Sequence, residues 1–291
     1  MSASLAIVNQ VARYLVRPLL GLTADPTAAR RDFERVTALL PLPKGVHVDE
    51  TDQGWLRIVP NMSSTAATIL YFHGGAYITG SPKTHRRLGA LLALETGADV
   101  LLPKYRLAPE HPAPAAFEDG LAAYCDTILN EPNLVIGGDS AGGGLAFAVL
   151  AALPSGVPRP KGIFAFSPWA DLSLHAAERW HGGDTDRLLP VERFDEVCAF
   201  LGDQIELSDP RVSPARAVFD QPPPALIQVA KSEALHLDAC RLSTTLREAG
   251  ADVTLSELAD APHVWQMLDL VLPEARESLA EVGRFIRALP V

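Results

Sequence analysis

Seven short apolar runs recur along the chain with helical stretches between most of them, and this alternation limits the fold more than any other feature. The runs are Trp55 to Val59, Thr68 to Phe72, Val100 to Leu102, Leu134 to Ile136, Ile163 to Phe166, Leu226 to Val229 and Val253 to Leu258. Helical period marks His85 to Glu95, Ala115 to Leu129, Gly143 to Leu153, Leu237 to Ala249 and Glu274 to Ala288. Strands that alternate with helices give a mostly parallel central sheet covered on both faces, so the predicted fold class is α/β. With 291 residues and 48% hydrophobic content, the chain can bury a large core, and one domain over 1–291 is expected. Two blocks break the alternation. Residues 1 to 45 are helical, and residues about 171 to 215 mix helix with polar loop. Both are expected to cap the carboxyl ends of the strands, where open α/β sheets bind ligands.

Charge and cysteine usage narrow the possible partners. The formal net charge of −10 would be repelled by phosphates and offers no polybasic surface, which argues against nucleic acid and favours a small neutral substrate. Cys125, Cys198 and Cys240 are odd in number, far apart and without metal-ligand spacing, so they read as reduced thiols. Near the start, Leu5, Ile7, Val8, Val11, Leu15, Val16, Leu19 and Leu20 are interrupted by Asn9, Gln10, Arg13 and Arg17. That spacing predicts an amphipathic helix rather than a secretion signal or a membrane span. No other run reaches membrane length, so no stable membrane insertion and a cytoplasmic location are expected.

The chemistry concentrates where the fourth run turns into a helix. Gly138-Asp139-Ser140-Ala141-Gly142 follows Leu134 to Ile136 and opens into an apolar helical stretch, which puts a serine at a strand-to-helix corner. A hydroxyl exposed on so tight a turn needs small residues two positions either side, and Gly138 and Gly142 meet that need. Such a serine is a weak nucleophile unless a base takes its proton, an acid orients the base and amides hold the oxyanion. In hydrolase sheets the chain order is serine, acid, histidine, which leaves His175, His181, His236 and His263 as bases. Only His263 follows the last strand. Glu233 lies three residues past the end of the strand Ala225 to Ala230 and is favoured as the acid, with Asp238 and Asp260 as rivals. His73-Gly74-Gly75-Ala76-Tyr77 directly follows a strand, so amides of Gly74, Gly75 or Ala76, with that of Ala141, are the expected oxyanion donors, each worth on the order of 10² to 10³ in rate.

These motifs resemble those of the hormone-sensitive-lipase-like branch of the α/β-hydrolase superfamily, in particular its microbial carboxylesterases. The likeness rests on HGGAY at 73–77, YRLAPEHPAPAAFED at 105–119, Gly138 with DSAGG at 139–143, SPWADLS at 167–173, SEALHLDACRLSTTLREAG at 232–250 and APHVW at 261–265. It covers the chain from about residue 45 to the end. The resemblance implies an α/β-hydrolase fold with a helical cap, Ser140 as nucleophile, His263 as base, and Glu233 where the family usually has aspartate. Ala76 stands where a third glycine is usual, and His263-Val264-Trp265 where His-Gly-Phe is usual. Tyr77, Trp169, Trp180 and Trp265 are candidates to line an apolar pocket.

The reaction expected is hydrolysis of short-acyl esters through an acyl-enzyme, which needs no metal or organic cofactor. The same machinery serves amides, carbamates and lactones, and the fold also resembles hormone receptors that have lost the base. Relatives often pair through the edge of the sheet, so a homodimer through Val253 to Leu258 is expected by analogy.

Overall fold

The computed structural model describes residues 2–22, 25–179 and 186–290. Each of the seven apolar runs is a strand: β2 (Leu56–Pro60), β3 (Thr68–Phe72), β4 (Asp99–Leu102), β5 (Leu134–Asp139), β6 (Gly162–Phe166), β7 (Ala225–Ala230) and β8 (Val253–Leu258). An eighth, β1 (Val46–Glu50), precedes them. Its sequence, Val-His-Val-Asp-Glu, has no apolar run because the strand lies at the sheet edge, partly exposed, with β2 as its single neighbour. The sheet order is β1-β2-β4-β3-β5-β6-β7-β8. Pairing is antiparallel at β1–β2 and β2–β4 and parallel from β4 through β8.

Alternate residues of the central strands feed two cores, as the two-residue period of a strand requires. From β3, Leu70 and Phe72 join Tyr124 of α5 (Ala115–Ile128), Leu145 of α6 (Ser140–Ala151) and Leu242 of α9 (His236–Glu248). Ile69 and Tyr71 face the other way, toward Leu88 and Leu92 of α4 (Arg86–Thr96) and Leu279, Val282 and Ile286 of α10 (Pro273–Ala288). The sheet is therefore covered on both faces, and the strand ends are left to carry function.

Of the two blocks outside the alternation, the first is helical and the second mixes short helices with loop. The first comprises α1 (Ala3–Val11), a wider π-type stretch Ala12–Val16, α2 (Arg17–Leu22) and α3 (Pro26–Ala38); the second contains α7 (Ala176–Arg179) and α8 (Phe194–Phe200). They are tied to each other: the Arg17 guanidinium meets Glu192 at 3.1 Å, and Arg193 donates to the Leu20 carbonyl at 2.8 Å. The amphipathic first helix lies the opposite way round from an ordinary surface helix. Its polar Asn9 and Arg17 point inward, 4% and 9% exposed, while Ile7, Tyr14, Leu15 and Leu19 are each more than 60% exposed. Leu5 alone of the large apolar set is fully buried, packed with Trp265, Ala261 and Leu272.

Candidate active site

The parallel strands point their carboxyl ends one way, and four of the loops that leave those ends carry the polar residues singled out above. Ser140 follows β5 at φ 52°, the left-handed corner of the strand-to-helix turn. Its neighbours are glycines because the backbone crosses itself there. A Cβ on Gly142 would overlap the carbonyl oxygens of Phe72 and His73, and one on Gly138 would stand 2.7 Å from the Phe72 oxygen. Ser140 is also the first residue of α6, so the unpaired amides of the first helical turn and the positive end of the helix dipole surround its hydroxyl.

Past β7 and β8, Glu233 and His263 meet. Glu233 Oε2 is 2.7 Å from His263 Nδ1, and both residues are buried. The other carboxylate oxygen, Oε1, accepts from the Ala230 amide and from the Ser167 hydroxyl, each at 2.8 Å. The extra methylene of glutamate relative to aspartate is absorbed here: the side chain curls back onto the end of its own strand. A carboxylate only accepts hydrogen bonds, so Nδ1 carries the imidazole proton and Nε2 presents a lone pair. Burial alone would lower the His263 pKa. The hydrogen bond and charge of Glu233, followed by the charges of Asp186 and Asp139, outweigh it and hold the pKa above the ordinary histidine value.

The rival carboxylates are engaged elsewhere. Asp238 forms a fully buried ion pair with Arg179 and accepts from the amides of Ala170 and Asp171 at 3.0 and 2.8 Å, which fastens the 167–173 loop. Asp260 pairs with Arg187 at 2.9 Å. His236 is bound to Glu257 at 2.6 Å, and His175 lies on the exposed surface near Asp195. His181 and Trp180 lie outside the described residues.

One expected oxyanion donor is corrected. The Gly74 amide already donates to Asp139 Oδ1 at 3.1 Å, and Asp139 also holds Tyr71 at 2.9 Å and lies 3.2 Å from His85. A buried carboxylate surrounded by donors takes that N–H before any substrate can. Among the described residues, the amides of Gly75 and Ala76 have no acceptor, so the loop keeps two donors to set beside Ala141. Gly74 keeps its identity for another reason: a Cβ there would overlap the Asp139 carboxylate. Ala76 and Tyr77 both adopt left-handed angles, φ 56° and 61°, and so does Val264 at 52°, where the usual family residue is glycine.

Comparison with known proteins agrees with this architecture. Residues 69–267 match the family described as alpha/beta hydrolase fold. An acetyl-hydrolase of Streptomyces hygroscopicus is 39% identical over 226 residues, covering 76% of this chain and 75% of its own. An esterase of Acinetobacter venetianus is 31% identical over 275 residues, 92% and 91% of the two chains. A crystal structure of an esterase from the bacterial hormone-sensitive lipase family superposes with a TM-score of 0.87 at 33% identity, covering 99% of this chain and 98% of that one.

The chain belongs to the α/β-hydrolase family.

Within it, the hydrolase falls in the hormone-sensitive-lipase branch and is by class a carboxylic ester hydrolase. Among the described residues of this hydrolase, no helix is long and apolar enough to cross a membrane. The candidate pocket residues sit in different settings. Trp169 donates its backbone N–H to the Ser140 carbonyl at 2.9 Å, and its ring lies 6.4 Å from that of Tyr77. Both rings are buried beside α6. Trp265 is instead 3% exposed in the cluster with Leu5 and Ala275, where it supports α1.

Sequence reasoning passed over two further residues of this hydrolase. Ser167 was read only as part of a motif, although its hydroxyl holds Glu233. Asp186, from the second helical block, is 2% exposed and accepts from the amides of Leu188 and Leu189 through Oδ1 and from Ala234, next to Glu233, through Oδ2 at 2.8 Å. Burial, and then the charge of Glu233, push the Asp186 pKa above the ordinary carboxyl range. No local pattern ties Asp186 to the site, because the partner that does so, the Ala234 amide, lies 48 residues further along the chain.

Proposed function

We propose that this hydrolase cleaves short-acyl carboxylic esters through a Ser140–His263–Glu233 triad and an acyl-enzyme intermediate. The observation that carries the reading is the His263–Glu233 pair at 2.7 Å, with Nε2 left free on the strand-end face that carries Ser140. His263 Nε2 takes the Ser140 proton as Oγ attacks the ester carbonyl carbon. The resulting oxyanion is held by the N–H groups of Gly75, Ala76 and Ala141. As the carbonyl reforms, the alcohol leaves with the proton that His263 returns to it. Water then attacks the acyl-enzyme by the same route and releases the acid and free Ser140. Glu233 keeps the imidazole in the productive tautomer and stabilises its charged form.

The short acyl preference is supported by the bulk of Tyr77 and Trp169, buried against the helix that Ser140 opens, and by the acetyl-hydrolase name of the Streptomyces relative. The two helical blocks act as the cap. Three free thiols, with Cys198 buried, support a cytoplasmic location. The deciding experiment is turnover of p-nitrophenyl acetate, butyrate and longer esters, with labelling by a fluorophosphonate. We expect turnover that falls with chain length, a label on Ser140, and loss of both in Ser140→Ala. Absence of turnover together with absence of label would exclude the esterase reading, and labelling without ester turnover would move the activity to another acyl bond.

A further inference from the structure

Seven of the large apolar side chains exposed on the described surface fall within fourteen residues: Ile7, Val11, Tyr14, Leu15, Val16, Leu19 and Leu20. They form the outward face of a helical unit whose inward face holds Asn9 and Arg17, the reverse of what water favours. We propose that this face is an interfacial anchor, which seats the enzyme on the surface of a phospholipid bilayer with the cap against the lipid.

Two observations select lipid over a second copy of the chain. The first is charge. From Met1 to Ala24 the sequence contains no acidic residue, in a chain whose formal net charge is −10, and Arg13 adds a positive charge beside the apolar face, so this is the segment that an anionic headgroup layer repels least. The second is interfacial chemistry: the Arg13 guanidinium lies 5.6 Å from the ring centre of Tyr14, which is 64% exposed, a basic and an aromatic group at the edge of the apolar face. The adjoining turn extends the surface. Leu272 packs with Leu5, and Leu270 and Val271 beside it are 55% and 54% exposed.

The same unit stands directly on the reaction centre. Arg17 reaches the Asp186 carbonyl at 3.4 Å, Asp186 holds the Ala234 amide, and Leu5 packs on Ala230 and Ala261, which flank Glu233 and His263. Resting on the ester-hydrolase reading above, this arrangement makes the substrate an ester that partitions into the lipid phase and reaches Ser140 past the cap.

The test is flotation of the full chain with vesicles of phosphatidylcholine and phosphatidylglycerol in equal parts, compared with Ile7→Ser/Tyr14→Ser/Leu15→Gln. All three positions are exposed, so the variant keeps its fold. Wild type is expected to float with the vesicles and the variant to bind about tenfold or more weakly, while both turn over soluble p-nitrophenyl butyrate equally. Flotation is read without any activity, so failure of the anchor and failure of the esterase reading remain separate results. A wild type that stays with the aqueous fraction, or a variant that floats as well as wild type, overturns the proposal. A dimer, seen by light scattering, that the triple substitution dissolves would assign the face to a second copy and overturn it equally.

Discussion

Asp238 and Glu233 are both buried carboxylates five residues apart, and what separates them is the partner each has found. Glu233 faces an imidazole and Asp238 a guanidinium. Substitution should therefore split their effects. In Glu233→Gln, an amide that can donate no longer fixes the Nδ1–H tautomer; kcat is expected to fall by about 10³–10⁴ with the melting temperature nearly unchanged. In Asp238→Asn, a buried arginine loses its countercharge, which is expected to lower stability by about 3–5 kcal/mol in a denaturation series, with activity following the folded fraction. Steady-state kinetics and urea unfolding of the two variants check both. The positions of Ser140, His263 and Glu233 were legible because each lies close to a strand end that apolar runs already mark. The state of the Gly74 amide was not. It depends on a carboxylate 65 positions away, at the end of the neighbouring strand, and no window of sequence carries that contact.

Between elements, the second helical block and the loop of Glu233 meet at Asp186. Its carboxylate sits among backbone amides from its own loop and from the loop of Glu233, and its charge adds to that of Glu233 in raising the His263 pKa. In the proposed mechanism His263 works only as neutral imidazole, so activity is expected to rise with pH through its pKa. Removing the Asp186 charge lowers that pKa. In Asp186→Asn, the acid limb of the kcat/KM profile is expected to move to lower pH, and a weakened hold on the acid loop to lower kcat; a profile superposable on wild type would show the carboxylate to be electrostatically inert. Apart from the edge strand β1, which has no apolar run, helices and strands were readable from their periods to within three residues; the largest discrepancies meet at the corner, where β5 runs on to Asp139 rather than Ile136 and α6 starts at Ser140 rather than Gly143. The first helix was readable as amphipathic but not in its orientation, because the pattern defines a face without saying what the face meets.

At the scale of the whole molecule, β8 is the terminal strand of the sheet and is half-exposed along its length, which keeps the edge-to-edge homodimer a specific proposal. Light scattering is expected to give twice the 31.2 kDa of the chain, unaltered by substitutions on the exposed face of the first helix, whose inner residues Leu5 and Val8 pack beside Leu258 at the end of β8. The fold class was plain from the alternation of runs, whereas the docking of the helical blocks was not, since their contacts join the most distant parts of the chain. Ser2 bonds Glu274, and Arg17 meets Glu192. This has a consequence for biosynthesis. A ribosome adding about 5–20 residues per second exposes the first helix early and delivers Glu192 and Glu274 roughly ten seconds to a minute later. Throughout that interval the nascent segment has neither its inner partners nor a covering for its outer face, which makes the first twenty residues the stretch where a chaperone, or a nearby bilayer, has the longest opportunity to act.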